Sequence, residues 1–68
     1  MVTLKNGTTI KFREVLSLHQ VNVIVNNTPM KGFSEYTSAA KWAQQRYGLT
    51  DGQLMQIYRD YKEDYDSL

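Results

Sequence analysis

The chain has 68 residues, no cysteine, 41% hydrophobic and 22% charged residues, and a formal net charge of +1. This composition is typical of a folded domain, and the length leaves room for one hydrophobic core. The lack of cysteine excludes disulfides and thiolate metal ligands and is compatible with a reducing compartment. No apolar run approaches the length of a membrane-spanning helix and no export signal is recognisable, so we expect a cytoplasmic protein without a membrane partner.

The first half of the chain alternates apolar and polar residues, which is typical of half-buried antiparallel strands. Asn6-Gly7 predicts a type I′ turn, because both central residues of that turn need a positive φ. A second turn is predicted at residues 26–29, which are rich in turn formers. The pattern predicts strands over residues 2–5, 8–15, 20–25 and 30–36. Pro29 and Gly32 weaken the last of these, so we expect a sheet of three or four strands.

The second half of the chain changes to helical spacing of its apolar residues. A first helix is predicted over residues 38–47, with the apolar stripe Tyr36, Ala39, Ala40, Ala43 and Tyr47. Thr37 is the predicted N-cap of this helix and Gly48 its predicted C-terminal cap. Thr50 is predicted to cap a second helix, whose first turn carries Asp51 at the positive end of the helix dipole. The apolar stripe of the second helix is Leu54, Ile57, Tyr58, Tyr61 and Tyr65.

The order of these elements predicts an α+β fold, because the strands come first and the helices follow without alternation. We expect a single domain over residues 1–68, with two β-hairpins in residues 1–36 and a helical hairpin in residues 37–68. The small antiparallel sheet of three to four strands would be covered on one face by the two C-terminal helices.

The sequence offers no constellation for catalysis. His19 is the only histidine, and nothing places a nucleophile and an orienting group beside it. Asp60 and Asp64 are four residues apart and could share an ion, but without cysteine and with His19 far away in sequence the ligand set is thin. The glycines are scattered and form no phosphate-binding loop. We therefore expect no enzyme, no catalytic residue, no metal and no cofactor.

The distribution of charge and tyrosine favours a protein-binding function. Residues 1–48 carry a net charge of +4 and residues 49–68 a net charge of −3, and such polarity influences how a domain meets a charged partner. The second helix interleaves acids with tyrosines, which supply large contact area with a polar tip. The predicted protein-binding face comprises Asp60, Tyr61, Glu63, Asp64, Tyr65 and Asp66. We expect this face to bind a basic partner protein.

Two alternative functions stay open at the level of sequence. The first is a small nucleic-acid-binding regulator that uses a basic sheet face and nearby aromatic rings, Phe33 or Tyr36, for base stacking. Its predicted binding residues are Lys5, Lys11, Arg13 and Lys31. An isoelectric point near 8.0 and the acidic second helix argue against it. The second alternative is a homo-oligomeric structural component with Trp42 at its interface.

A small stand-alone domain without a recognisable catalytic site suggests, by analogy alone, an accessory protein of a phage or another mobile element. Such a module would inhibit or modulate a larger host machine, for example a defence nuclease, by occupying its surface. Our leading hypothesis from the sequence is therefore a small non-enzymatic protein-binding module.

The expectation of a non-enzymatic chain can be tested directly. Purified protein should not hydrolyse nucleotides, DNA or RNA above the rate of a buffer control, because no nucleophile, base and orienting group are predicted to meet. The measurement is product formation by the wild type and by His19→Ala. Turnover by the wild type that disappears in His19→Ala would show that the histidine is catalytic and the expectation wrong.

Overall fold

The structure is a computed structural model that describes the backbone of residues 1–66 and the side chains of residues 1–65. A four-stranded antiparallel sheet is followed by two helices, which confirms the predicted α+β fold. The elements are β1 (Val2–Thr3), β2 (Thr9–Val15), β3 (Gln20–Val25), β4 (Thr28–Phe33), α1 (Tyr36–Tyr47) and α2 (Asp51–Asp66). The strands are neighbours in chain order, and a short 3-10 helix, Leu16–Leu18, connects β2 to β3.

The hydrophobic core lies between one face of the sheet and the two helices. Helix α2 packs on β1 and β2, and α1 packs on β3 and β4. The buried members of the core are Val2, Ile10, Phe12, Val21, Val23, Val25, Ala39, Ala43, Leu49 and Ile57. Ala39 and Ala43 are fully buried, and their short side chains allow α1 to approach the sheet closely. In the sheet, the alternation of side chains buries one face against the helices and leaves Lys11 and Arg13 on the other face.

The first turn differs from the prediction. Only Gly7 of the Asn6-Gly7 pair has a positive φ, 90°, so the pair does not form a type I′ turn. The Gly7 amide donates to the Leu4 carbonyl at 2.9 Å, which makes Leu4–Gly7 the turn and ends β1 at Thr3 rather than residue 5. Glycine is needed here because its positive φ brings the chain back into register with β2.

The second turn has the geometry that was predicted for the first. Asn26 and Asn27 have φ values of 52° and 66°, the pair of positive angles that a two-residue type I′ turn requires. The Asn26 side chain accepts a hydrogen bond from the Thr9 amide at 3.0 Å, and the Asn26 amide donates to the Thr9 carbonyl at 2.9 Å. These contacts with β2 hold Asn26 in the left-handed region, which asparagine tolerates better than most residues.

Strand β4 begins two residues earlier than predicted and contains a bulge. Ile24 pairs with Pro29 and Val23 pairs with Lys31, so Met30 is an extra residue in β4. A single extra residue reverses the faces of all side chains that follow it. Lys31 and Phe33 consequently lie on the helix side of the sheet.

Helix α1 also begins earlier than predicted. Glu35 is its N-cap residue and makes no side-chain capping bond, so the predicted cap Thr37 lies inside the first turn. The reason is tertiary, because the Tyr36 ring packs edge-on against Phe12 at 5.4 Å between ring centroids and this contact fixes the first residue of the helix. The predicted end is confirmed, with Gly48 in the left-handed conformation at φ 63°.

The predicted start of α2 is confirmed by a reciprocal capping pair. The Gln53 amide donates to Thr50 Oγ1 at 3.1 Å, and the Thr50 amide donates to Gln53 Oε1 at 2.9 Å. This arrangement satisfies two backbone donors that have no partner within the helix. Only Gly48, Leu49 and Thr50 separate the helices, so these local signals fix where α1 ends and where α2 begins.

Two glycines near this connection should respond oppositely to alanine. Gly48→Ala should lower the free energy of unfolding by about 1 kcal/mol, because alanine is strained at a positive φ. Gly52→Ala should raise it by about 0.5–1 kcal/mol, because Gly52 lies in the first turn of α2, where a Cβ would meet nothing closer than 3.9 Å. Urea unfolding of both variants measures the two changes. Changes of the same sign would contradict this account.

Candidate functional site

An open groove of about 570 Å³ lies between α1 and α2, and we call it the interhelical groove. Its lining residues are Tyr36, Ala40, Leu54, Met55, Tyr58, Arg59 and Lys62. The volume falls within the range of roughly 300–1,000 Å³ that is common for ligand sites. The lining is mainly apolar, and its charged residues are Arg59 and Lys62.

Helical geometry explains why α2 has both a core face and a groove face. Ile57 is fully buried against the sheet, and Leu54 is partly buried beside it. Tyr58 follows Ile57 by one residue and is therefore turned by about 100° around the helix axis, toward α1. Tyr58 is 46% exposed and Met55 is 56% exposed. The apolar surface of α2 thus continues out of the core and into solvent.

Tyr36 forms the inner wall of the groove and connects it to the core. Its ring centroid lies 5.3 Å from that of Tyr58 and 5.2 Å from that of Tyr61. Burial and the neighbouring Tyr58 hydroxyl raise the pKa of Tyr36 above its ordinary value. Tyr36 is thus a neutral, partly buried phenol at physiological pH, and it presents an aromatic surface to any occupant of the groove.

A second, smaller hollow of about 280 Å³ extends the aromatic surface along α2. It is lined by Tyr58, Tyr61, Lys62 and Tyr65. Tyr65 is 47% exposed, and its ring centroid lies 6.2 Å from that of Tyr61. Tyr65, predicted as a binding residue, therefore adjoins the groove rather than a separate acidic face.

Tyr61, also predicted as a binding residue, has a structural role. Its hydroxyl donates to Glu14 Oε2 at 2.9 Å and so connects α2 to β2. Burial, with the hydrogen bond to Glu14 as a second cause, raises the pKa of Tyr61 to about 12. The ring packs against the core and is partly buried.

The predicted acidic face is divided by the structure. Asp60 accepts hydrogen bonds from the Met1 amine and from Gln56 Nε2, and the amine holds the pKa of Asp60 below its usual value. Asp60 therefore joins α2 to the start of the chain beside β1 and is not an outward acid. Glu63 and Asp64 are exposed as predicted, while the side chain of Asp66 lies outside the described residues.

The four predicted basic residues do not share a face. Lys11 and Arg13 lie on the uncovered sheet face, and Lys5 belongs to the β1–β2 turn. The Met30 bulge directs Lys31 to the helix side, where its Nζ lies 5.3 Å from the centre of the Phe33 ring. Phe33, which was predicted to stack on bases beside these cations, is thus on the opposite face from two of them.

Trp42, predicted as an interface residue, packs at the β4 side of α1. Its ring lies 5.7 Å from Phe33 and 6.0 Å from Tyr47 between centroids. The side chain is partly buried, as its place at the edge of the apolar stripe indicates. It lies away from the interhelical groove, whose lining does not include it.

Several groove residues were not singled out from the sequence. Met55, Arg59 and Lys62 are spaced as i, i+4 and i+7, which places them along one side of α2, but they lie outside the apolar stripe that the sequence indicates. The available signal was Met55 itself, an apolar residue outside that stripe. Which part of the stripe stays exposed depends on the position of α1.

Comparison with protein-family models, with curated proteins and with solved structures found no match for this chain. Neither helix in residues 1–66 is both long and apolar enough to cross a bilayer. Among the described residues, no three histidine or acidic side chains lie together in a way that could hold a metal ion.

The Tyr61–Glu14 hydrogen bond leads to a testable pH dependence. Tyr61→Phe should lower the free energy of unfolding by about 1–2 kcal/mol at neutral pH, because a hydrogen bond to a carboxylate is lost. The folded-state pKa, about 12, lies above the unfolded value near 10. The neutral phenol therefore stabilises the fold below about pH 10, and this contribution declines as the pH rises through 12.

The measurement is urea unfolding of the wild type and Tyr61→Phe from neutral to alkaline pH. The difference between them should shrink above about pH 10. Tyr65→Phe is the matched control and should change stability little, because Tyr65 is half exposed. A Tyr61→Phe difference that stays constant across the alkaline range would contradict the assignment.

Proposed function

We propose that this chain is a non-catalytic binding module that recognises another protein through the interhelical groove. The observation that carries the proposal is the exposure of Met55 and Tyr58 on a surface that continues from the core. Contiguous exposed apolar surface with polar residues at its rim is typical of interaction sites. Tyrosine adds contact area with a polar tip, and methionine adapts to irregular partner surfaces.

The character of the lining favours a protein partner over a small molecule. Small-molecule sites combine an apolar pocket with several convergent polar groups that fix the orientation of the ligand. In the interhelical groove the polar groups are the Tyr36 and Tyr58 hydroxyls and the two flexible cations Arg59 and Lys62. An open, adaptable surface of this kind suits the side chains of a protein better than it orients one small ligand.

The nucleic-acid alternative has weaker support. Lys11 and Arg13 share the uncovered sheet face, but their neighbours across the strand pairing are Ile24 and Asn22. Every aromatic residue with a described ring contact makes it on the helix side of the sheet. A single-strand binder needs aromatic rings beside its cations, and this face lacks them among the described residues.

Association through the sheet edges is also disfavoured. The exposed edge strand β4 contains Pro29, which has no amide donor, and the bulge at Met30. The other edge strand, β1, has only two residues. Short edges, proline and bulges are the features that block strand pairing between molecules. The homo-oligomer alternative would therefore have to use a surface other than the sheet edges.

A module without catalytic groups acts on its partner by occupying a surface. Under this proposal the chain would inhibit or modulate a larger machine, and a host defence nuclease remains one candidate class by analogy with small accessory proteins. The acidic residues of α2 would then contribute through long-range steering rather than through direct contact at the groove.

The function can be tested by affinity capture from the organism that encodes the chain, with nuclease treatment. Three tagged proteins are compared: the wild type, Met55→Ser with Tyr58→Ser, and Lys11→Gln with Arg13→Gln. A nuclease-resistant protein partner should be retained by the wild type and the sheet variant and lost by the groove variant, because only the last loses apolar contact area. Circular dichroism controls for folding.

A different result would favour nucleic-acid binding: the sheet variant loses its partners, nuclease treatment removes them from the wild type, and the groove variant retains them in full. Equal capture by all three proteins would show that neither surface is the binding site.

A further inference from the structure

We propose that the chain forms a two-fold symmetric dimer in which α2 of a second copy lies antiparallel along α2, at the interhelical groove. The contact uses Asp51, Met55, Tyr58 and Lys62, which we call the α2 strip. Asp51 of each copy pairs with Lys62 of the other, and Met55 of each packs on Tyr58 of the other. The inference goes beyond the proposed function, because this occupant of the groove is not a foreign protein. A foreign partner would have to displace it.

The α2 strip has the spacing of a contact line between two helices. Its members are separated by four, three and four positions, the repeat along which two α-helices pack side by side. All four side chains are exposed, with Met55 at 56% and Tyr58 at 46%. Ile57 is buried against the sheet, and Asp51, Met55 and Lys62 lie about 120–160° around the helix axis from it. A second helix can therefore approach the strip without meeting the sheet.

The order of residues along the strip is complementary to itself when reversed. A two-fold axis across two antiparallel helices pairs residues that are equally far from the axis on either side. The midpoint between Asp51 and Lys62 lies between residues 56 and 57, and so does the midpoint between Met55 and Tyr58. One axis therefore places an acid opposite a cation at both ends and apolar residues opposite each other in the middle. Parallel pairing in register would place like charges together, so the charged ends specify the antiparallel orientation.

The other charges on this side of α2 are compatible with that register. Asp51 of the second copy would be level with Lys62 and about 4.5 Å along the axis from Arg59. Asp66 is about 6 Å beyond Lys62, and Glu63 is turned about 100° from Lys62, to the flank of the strip. Pairs between neighbouring exposed residues of one helix are weak, so Glu63 and Asp66 do not prevent the two cations from meeting the incoming carboxylate.

The groove and the start of α2 can accommodate the second helix. The groove measures about 570 Å³, and Ala40, a residue with a short side chain, lies on its α1 wall. Asp51 accepts a hydrogen bond from Gln44 Nε2 of α1 at 3.2 Å. A carboxylate can accept several hydrogen bonds, so this contact is retained when Asp51 also meets Lys62 of the other copy.

Partners of a single charge fit the same surface less well. The strip and its flanks carry both signs on one side of α2, with acids at Asp51, Glu63 and Asp66 and cations at Arg59 and Lys62. A nucleic acid would meet these acids beside the two cations, whereas its affinity depends on neutralising many phosphates. The reversed copy of the strip supplies both signs at matching positions.

The test is sedimentation equilibrium of the purified chain, from about 10 μM to about 1 mM because a contact along one side of a helix is small. The wild type should show a monomer–dimer equilibrium within this range. Lys62→Glu and Asp51→Lys should each weaken the dimer about tenfold or more, because symmetry makes both pairs repulsive. Lys11→Glu, on the uncovered sheet face, has the same change in net charge as Lys62→Glu and should weaken the dimer less than about twofold.

Exchange of the charges tests the register itself. A mixture of the Asp51→Lys and Lys62→Glu proteins should form a heterodimer, because the introduced lysine meets the introduced glutamate at one end and the original pair is kept at the other. Both substitutions in one chain should restore the homodimer for the same reason. Circular dichroism controls for folding. Amide chemical shifts of the labelled wild type should change on dilution mainly at residues 51–62, a result that needs no variant.

The outcomes separate this inference from the proposed function. A wild type that stays monomeric at about 1 mM would overturn the dimer and leave recognition of a foreign protein intact, since capture does not require self-association. A dimer that neither charge variant weakens, or that charge exchange fails to restore, would overturn the proposed register. Dilution shifts centred on Trp42 or on the uncovered sheet face would overturn it as well. A confirmed dimer with capture that ignores Met55→Ser with Tyr58→Ser would contradict the proposed function alone.

Discussion

The packing of the Tyr36 ring connects the sheet, both helices and the candidate site. Its ring contacts Phe12 in the core and Tyr58 and Tyr61 on α2. Aromatic contacts of this kind contribute about 0.5–1.5 kcal/mol each beyond the burial of area. Since Tyr36 is also the first residue of α1, these contacts set where that helix starts and how it faces α2. The interhelical groove is the surface left between the helices by this arrangement.

Helix α2 serves three purposes on three sides. Ile57 faces the core, Asp60 joins the helix to the start of the chain, and Tyr58 faces the groove together with Met55 and Lys62. Each set of contacts uses only one strip along the helix, so α2 can make all three at the same time. The same division leaves an apolar strip of α2 exposed beside the groove.

Four of the seven residues that line the groove were placed on apolar stripes from the sequence: Tyr36, Ala40, Leu54 and Tyr58. The pattern cannot tell which end of a stripe stays in solvent. Tyr61 and Tyr65 looked alike in sequence, yet one donates to Glu14 and the other is half exposed. The difference arises because β2 lies under Tyr61 and supplies a carboxylate partner there.

The sequence by itself determined the order of strands and helices, the cap at Thr50 and the left-handed residue at Gly48. These features depend on residues that are close in the chain, so local propensity and hydrogen bonding decide them. Only the tertiary structure decided the face of Lys31, because one bulged residue, Met30, reverses the alternation and is set by pairing with β3. It alone decided the side to which the Asp60 carboxylate turns and the exposure of Met55 and Tyr58, since burial depends on elements that are distant in sequence.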